Sequence, residues 1–268
     1  MSADLPISVL LLARDETADV TALLPALRFA REVVVVWDPR GERATRDAAE
    51  RLGARVFERE FEGFGAQRRY ALAHCTQPWV LWIDADERLR AGDTDRLAAA
   101  LGDSAPDGWF LGRETSFLGR RIRYCGWQRE RVLRLFRRER WEFDDAPVHE
   151  ELRRVGAPGG MEAPGASGAI GDLPVTLDHH SYATWKACVD KMCRYAEAGA
   201  EKAFRAGRRA GLLDVALRPP LRFLRQYVLQ LGFLDGAHGW LLCALASSQV
   251  FLKYASLWAR SRGPGARA

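Results

Sequence analysis

Two carboxylates separated by one residue come directly after a run that predicts a buried strand. Asp84 and Asp86 lie in the tetrapeptide Asp-Ala-Asp-Glu at residues 84–87, and residues 80–83 are Val-Leu-Trp-Ile. Carboxylates on one turn can hold Mg²⁺ or Mn²⁺ directly or through its water shell. Such a cation would bridge the phosphates of a nucleoside diphosphate and neutralise its charge as it departs. The alternative, an acidic turn that only caps the next helix, is the commoner explanation of the tetrapeptide alone.

The elements that must position these carboxylates alternate between strand and helix. This alternation predicts an α/β fold with a parallel sheet built by crossover connections. Polar residues follow the strand ends repeatedly, and the carboxyl edge of an open α/β sheet is where ligands bind. The predicted strands are residues 7–12, 33–37, 55–59 and 79–83, and the predicted helices are residues 18–31, 45–52 and 65–74.

The remaining chain changes character twice. Residues 107–177 contain short strands, aromatic residues and turns, with a Gly/Pro/Ala-rich loop or insertion at 155–171. Residues 181–261 have helical periodicity. We therefore expect a sheet domain at 1–177 and a C-terminal helical region at 178–268.

Composition excludes several classes of protein. The 268 residues carry 40 Lys and Arg against 35 Asp and Glu, and this net charge of +5 is too modest to indicate nucleic-acid binding. Five cysteines without a CxxC pair predict neither a disulfide framework nor a zinc site, which fits a reducing cytoplasm. The N-terminal apolar run lacks a basic flank and is broken at Arg14 and Asp15, so we expect a strand there and no signal peptide.

Four segments together resemble family 2 glycosyltransferases: residues 7–16, 33–38, 62–72 and 79–87. Within that family the chain most resembles the lipopolysaccharide core-sugar transferases, of which a β-1,4-glucosyltransferase acting on inner-core heptose is a familiar member. The resemblance continues in order through nearly the whole chain, at residues 126–127, 133–136, 148–150, 180–182, 232–236 and 253–254.

This resemblance implies a GT-A fold, a nucleotide-sugar donor and inversion at the anomeric carbon. It places Glu16 and Asp38 near the nucleoside, and Asp84 and Asp86 near the ribose, diphosphate and metal. The implied cofactor is Mg²⁺ or Mn²⁺. The family's Asp-Ser-Gly-Ser-Thr-Asp is replaced by Asp-Pro-Arg-Gly-Glu-Arg at residues 38–43, which leaves the base and the sugar open.

Inverting transfer needs a base to take the proton of the attacking hydroxyl. The resemblance makes Glu150 the candidate, because the family carries an acidic residue at this place. Asp144 and Asp145 compete for the role, and a loop carboxylate paired with an arginine is the alternative. His149 is a candidate third metal ligand or a group that orients the base, although a lone histidine is more often structural.

Four arginines are candidates for the donor site. Arg131 and Arg134 are expected to emerge together from the polar face of a strand, where guanidinium groups suit diphosphate oxygens. An ordinary charged strand face is as good an explanation for each one singly. Arg68 and Arg69 open a helical segment behind a glycine turn, so one is expected to contact the nucleotide and the other to face solvent.

The C-terminal third combines arginines with a dense apolar segment at 240–258. No run of 18 apolar residues exists, so we expect this segment to be too short to span a bilayer. Interfacial docking on anionic lipid and burial against the catalytic domain are both open. The arginines are Arg205, Arg208, Arg209, Arg218, Arg222 and Arg225.

These observations predict a transferase that moves a hexose, glucose from UDP-glucose, onto the inner core of lipopolysaccharide or a related lipid-linked acceptor. We expect it to be cytoplasmic and peripheral on the inner face of the inner membrane. The alternatives are transfer of another sugar to a different polyprenyl or lipid acceptor, and a non-catalytic basic protein that binds membrane surfaces or nucleic acid.

Overall fold

The chain divides into two compact units. The first comprises residues 1–113 and 130–179, and the second residues 114–129 and 180–268. The division of the sequence at 177/178 stays a prediction about domain boundaries. The computed structural model describes residues 4–102, 104–128, 130–144, 152–156, 170–182 and 184–262.

The first unit begins with parallel strands joined by helices, as predicted. The strands are β1 (Leu5–Ala13), β2 (Ala30–Trp37), β3 (Arg55–Glu58) and β4 (Trp79–Trp82), and the helices between them are α1 (Thr17–Leu23), α2 (Arg43–Arg51) and α3 (Phe64–His74). In the described residues these strands lie in the order β3-β2-β1-β4 with parallel register.

The first helix is shorter than predicted. It ends at Leu23, a 3₁₀ turn follows at Leu24–Leu27, and β2 already begins at Ala30. Pro25 lies in the first turn of this 3₁₀ segment, and a proline has no N–H to continue an α-helical ladder. The prediction of one helix over 18–31 is therefore wrong in its second half.

The sheet continues beyond β4 with antiparallel strands. The further elements are β5 (Glu87–Arg88), α4 (Asp93–Ala99), β6 (Gly108–Phe117), β7 (Arg120–Arg121), β8 (Glu130–Arg137), β9 (Trp141–Phe143), β10 (Leu152–Arg154) and β11 (Ile170–Tyr182). β8 pairs with β4 and β6, and β5 pairs with β11, in the overall order β3-β2-β1-β4-β8-β6-β11-β5 among the described strands. β7 pairs with β6, and β9 and β10 form a separate pair.

The core of the first unit lies on both faces of this sheet. Val9 and Leu11 of β1 belong to one apolar cluster, and Leu10 between them belongs to the other. Side chains alternate across a strand, so β1 is apolar on both sides because both faces are covered. Full burial of each such side chain contributes about 1.5–3 kcal/mol, which fixes the strand that leads to the site.

The second unit is mainly helical in its described part. Asp235 is buried and accepts hydrogen bonds from the backbone N–H groups of Arg123 (3.0 Å) and Tyr124 (2.8 Å). This carboxylate therefore joins the segment 114–129 to the C-terminal helices. The helices are α5 (Trp185–Arg205), α6 (Leu212–Leu224) and α7 (Gly236–Arg262), with a π-helical turn at Arg225–Leu229 and a 3₁₀ turn at Gly232–Asp235 between the last two.

The apolar C-terminal segment forms one long helix. α7 contains 27 residues, which corresponds to about 40 Å at the usual helical rise. Among the described residues, Gly232–Arg262 is long and apolar enough to cross a membrane by length and composition. The expectation that this segment is too short to span is therefore wrong as a statement about length.

Candidate functional site

The acidic turn between β4 and β5 is closed by its own backbone and by one side chain. Glu87 N–H donates to the carbonyl of Asp84 (2.9 Å), and Asp84 N–H donates to Glu87 Oε2 (3.0 Å). The side chain of Glu87 is fully buried. Glu87 is thus committed to the shape of the turn, whereas Asp86, between these two residues, keeps a side chain that is 31% exposed.

Both oxygens of Asp84 are bound by neighbouring donors. Arg68 Nη2 and Trp82 Nε1 each lie 3.2 Å from Oδ1, and Arg134 Nη2 lies 2.7 Å from Oδ2. The same Arg134 nitrogen lies 2.6 Å from Glu87 Oε1. Both guanidinium groups lie 4.0 Å from the Trp82 ring centroid, a cation–π distance. We call Arg68, Trp82, Asp84, Glu87 and Arg134 the buried charge cluster.

Burial and charge act in opposite directions within this cluster. Burial disfavours the ionised form of Asp84, but the charges of Arg134 and Arg68 outweigh it and hold the pKa of Asp84 well below its ordinary value. Burial raises the pKa of Glu87. Burial also lowers the pKa of Arg68 to about 10, whereas Asp84 and Glu87 outweigh the burial of Arg134 and raise its pKa. Asp84 and both arginines are therefore charged at neutral pH.

A histidine from β11 lies beside the second carboxylate of the turn. In the antiparallel register His179 is opposite Glu87, and its Nε2 lies 3.4 Å from Asp86 Oδ2. His179 was not among the predicted site residues. A signal was present in the sequence, because the apolar residues Leu173, Val175 and Leu177 recur every second residue, and this period places His179 on the same face of the strand.

The two carboxylates that were predicted to contact the nucleoside accept hydrogen bonds from residues of their own loops. Asp38 is 3% exposed, and its carboxylate accepts from Arg40 Nε (3.0 Å) and Nη2 (2.9 Å). The Arg40 hydrogen bonds outweigh burial and lower the pKa of Asp38. Glu16 Oε2 accepts from the backbone N–H groups of Arg14 (2.6 Å) and Asp15 (3.0 Å). A nucleoside contact at either carboxylate would therefore share that carboxylate with these donors.

The altered loop after β2 packs tightly against the loop after β1. A Cβ on Gly41 would clash with the backbone carbonyl of Arg14, so only glycine fits there without a shift. Glu42 N–H donates to Asp15 Oδ1 (2.8 Å). The residues that depart from the family pattern thus form a specific contact at the carboxyl edge of the sheet.

The four candidate arginines are in different environments. Arg68 is buried in the charge cluster, and Arg69 is exposed, as predicted for one of the two; a nucleotide contact by the other stays a prediction. Arg131 is paired with Asp172 at the surface, whereas Arg134 is buried. Residues three apart in a strand lie on opposite faces. The prediction that Arg131 and Arg134 emerge from one polar face is therefore wrong.

The candidate base and the predicted third ligand lie outside the described residues. This applies to Asp145, His149 and Glu150, whose roles stay predictions. Asp144 is described, and its side chain is 10% exposed and paired with Arg153 at 2.9 Å. Its carboxylate is therefore already neutralised by a neighbouring cation.

The donor atoms at the turn suit a hard divalent cation. Asp86 carries a carboxylate 3.4 Å from the imidazole Nε2 of His179, and both oxygens of Asp84 accept hydrogen bonds. Within the described stretches, no three His, Cys, Asp or Glu side chains are grouped as a metal site. Mg²⁺ is usually held by one or two carboxylates together with water and substrate phosphates, so the single carboxylate of Asp86 fits such an ion.

The sheet defines an α/β protein, and its acidic turn lies at the carboxyl edge, which is where open α/β sheets bind their ligands. The family Glycosyl transferase family 2 matches residues 19–152, and the chain belongs to this family. The predicted GT-A class of α/β fold, with flanking helices and a C-terminal helical extension, is confirmed.

Among individual proteins, the chain is 25% identical over 269 residues to lipopolysaccharide core biosynthesis glycosyltransferase LpsC of Rhizobium meliloti, with 95% of each covered. It is 32% identical over 83 residues to an uncharacterized glycosyltransferase of Rickettsia conorii, covering 31% of this chain and 29% of that protein. The structure of S. aureus TarS 1-349 matches with 14% identity and a TM-score of 0.44, covering 96% of this chain and 91% of that one.

Proposed function

We propose that this protein is an inverting, metal-dependent hexosyltransferase that moves glucose from UDP-glucose onto the inner core of lipopolysaccharide or a related lipid-linked acceptor. The observation that carries the proposal is Asp86 facing His179 at the carboxyl edge of the sheet, beside an ionised Asp84. Family membership supports a glycosyl donor. The similarity to LpsC along the whole chain supports a lipopolysaccharide-core acceptor.

In this proposal the carboxylates of the turn have separate tasks. Asp86 and His179 would hold Mg²⁺ or Mn²⁺. When bound, the cation neutralises charge on the departing diphosphate. Both Asp84 oxygens are engaged by Arg68, Trp82 and Arg134, so we assign Asp84 to positioning the turn. Of the two modes of metal contact left open for Asp84, direct or through the water shell of the ion, this favours the second.

Glu150 is the proposed base, with Asp145 as the alternative. Its carboxylate takes the proton of the acceptor hydroxyl while the acceptor oxygen bonds to the anomeric carbon. The bond from that carbon to the phosphate oxygen breaks, and its electron pair leaves with the nucleoside diphosphate. Attack and departure on opposite faces give inversion. A base within hydrogen-bond reach of the hydroxyl typically accelerates such a step by about 10²–10⁴-fold.

The test is release of nucleoside diphosphate by purified protein with core acceptor, Mn²⁺ or Mg²⁺ and a panel of nucleotide sugars. Asp86→Asn should lower turnover by about 100-fold or more, because one ligand is lost. Asp95→Asn, an exposed carboxylate on α4, is the matched control and should leave turnover unchanged. Full turnover by Asp86→Asn would refute the metal role, and a preference for another nucleotide sugar would refute the donor assignment.

A lipid-linked acceptor requires the enzyme to work at a membrane. We therefore propose peripheral attachment at the cytoplasmic face of the inner membrane, with the helical second unit as the region that attaches. Calorimetry with UDP, with and without Mn²⁺, separates this enzyme from a non-catalytic surface-binding protein. Metal-dependent UDP binding is expected of the enzyme, and its absence would support the non-catalytic alternative.

A further inference from the structure

Large apolar side chains are exposed in a row along α6. Leu213, Leu217 and Leu221 recur every four residues and are 74%, 54% and 61% exposed. Residues four apart lie on the same side of a helix. Leu224 and Val228 extend the row at spacings of three and four residues, into the π-helical turn. These five residues form a continuous stripe, which we call the leucine stripe.

The surroundings of the stripe are apolar as well. Ten of the seventeen exposed large apolar residues in the described chain lie between residues 212 and 234. Single exposed leucines are normal on soluble proteins, but a concentration of this kind marks a binding surface. The members outside the stripe are Leu212, Leu229, Leu231, Phe233 and Leu234.

Positive charge accompanies this apolar surface. Arg218 is paired with Asp214 at 2.6 Å. Arg222 and Arg225 lie in the same segment, and neither has an ion-pair partner among the described residues. Two copies of the chain meeting through this face would bring these cations together, which is unfavourable. An apolar phase bordered by negative groups complements the face better, and an anionic lipid bilayer has both properties.

α7 is less suited to insertion than its composition suggests. Glu197 of α5 accepts a hydrogen bond from Ser256 (2.7 Å) and pairs with Arg260 on α7, and the side chain of Lys253 packs against Gly199. Spanning a bilayer would therefore carry these charged groups of α5 into the hydrocarbon region, which is costly. The five residues of the leucine stripe, by contrast, are exposed and apolar.

We propose that α6 and the following turns, residues 212–234, lie in the interface of an anionic bilayer, with the leucine stripe among the acyl chains and Arg222 and Arg225 at the lipid phosphates. α7 lies behind α6 and does not cross the membrane. The inference deepens the proposed function by naming the docking surface and its lipid partner. It rests on that function, because a lipid-linked acceptor is the reason for docking at a membrane.

The experiment is flotation of the full chain with vesicles of phosphatidylcholine alone or mixed with phosphatidylglycerol, without donor or metal. The wild type should float with the mixed vesicles, and less so at high salt. Leu213→Ser/Leu217→Ser/Leu221→Ser should weaken binding by about 100-fold, because three apolar side chains no longer enter the interface. Val155→Ser, at a 57% exposed residue of the first unit, is the control and should bind as the wild type does.

Two further variants locate the surface. Arg222→Gln/Arg225→Gln should remove most of the preference for phosphatidylglycerol, by about 10-fold. Phe251→Ser on α7 should have no effect. Circular dichroism verifies that each variant folds. If the triple variant does not fold, flotation of the single variant Leu213→Ser is measured in its place.

Equal flotation of the triple variant, failure of the wild type to float, or loss of flotation in Phe251→Ser would each overturn the proposal. So would a wild-type dimer in sedimentation that the triple variant abolishes, since the stripe would then bind a second copy. Turnover with a soluble acceptor separates this proposal from the proposed function, because it tests the transferase without vesicles.

Discussion

Replacing Arg134 with methionine tests the buried charge cluster that shapes the acidic turn. Arg134 Nη2 binds both Glu87 (2.6 Å) and Asp84 (2.7 Å), and its side chain is 2% exposed. After Arg134→Met, Asp84 keeps Arg68, but Glu87 stays fully buried, and the ion pair that remains to it among the described residues is with Arg113 at 3.6 Å. The variant therefore leaves a buried carboxylate without its closest charge partner.

The expected loss of stability is large. Removing one partner of a buried ion pair costs about 3–5 kcal/mol. For a unit of this size, that corresponds to a fall in melting temperature of about 6–20 °C. Arg131→Met is the matched control, three residues away in the same strand. Its exposed pair with Asp172 predicts a loss of about 1 kcal/mol or less.

The loss should also depend on pH. Burial raises the pKa of Glu87 and Arg134 opposes this, so Arg134→Met should raise that pKa further. A carboxyl whose pKa is higher in the folded than in the unfolded state retains its proton on folding. The folded protein therefore becomes more stable as the pH falls towards the pKa of this carboxyl group in the unfolded chain, and less stable as the pH rises. The deficit of the variant should be largest near about pH 8 and shrink towards about pH 5.

Urea unfolding followed by tryptophan fluorescence at several pH values measures these effects. The double variant Arg134→Met/Glu87→Gln should recover a large part of the stability lost in Arg134→Met, because it no longer buries an unpaired charge. A loss below about 1 kcal/mol, a deficit that does not shrink on acidification, or a double variant no better than the single one would refute the reasoning.

Three further outcomes follow from the geometry. His179→Gln should raise the Mn²⁺ concentration for half-maximal turnover by about 10-fold, measured as UDP release; an unchanged metal dependence would remove His179 from the site. Asp235→Ala should lower the unfolding free energy of the second unit by about 3 kcal/mol, because two backbone N–H donors lose their acceptor; a thermal melt like that of the wild type would contradict this. Gly41→Ala should cost about 1–3 kcal/mol, because its Cβ meets the Arg14 carbonyl; urea unfolding measures this, and a neutral substitution would mean that the loop after β2 moves freely.

Most of the sheet could be predicted from local pattern alone. The apolar runs at residues 7–12 and 33–37 are covered on both faces, so their composition indicates buried parallel strands without knowledge of their partners. The acidic turn could be placed because it follows such a strand directly. Pro25 was the available signal that the first helix ends early.

Contacts between distant segments could not be predicted in the same way. The pairing of Asp84 with Arg68 and Arg134 depends on a helix and a strand 16 and 50 residues away. The position of His179 beside Asp86 depends on the register of β11 with β5, which no local periodicity specifies. The length of α7 was underestimated because polar residues interrupt the apolar run without ending the helix.

Manganese binding measured by electron paramagnetic resonance, in the presence of UDP, tests the central claim most directly. We predict that the wild type and Asp95→Asn bind the ion alike, and that Asp86→Asn weakens its binding by about 10-fold or more while its thermal melt stays that of the wild type. Equal manganese binding by Asp86→Asn and the wild type would contradict the assignment of the acidic turn as the metal site.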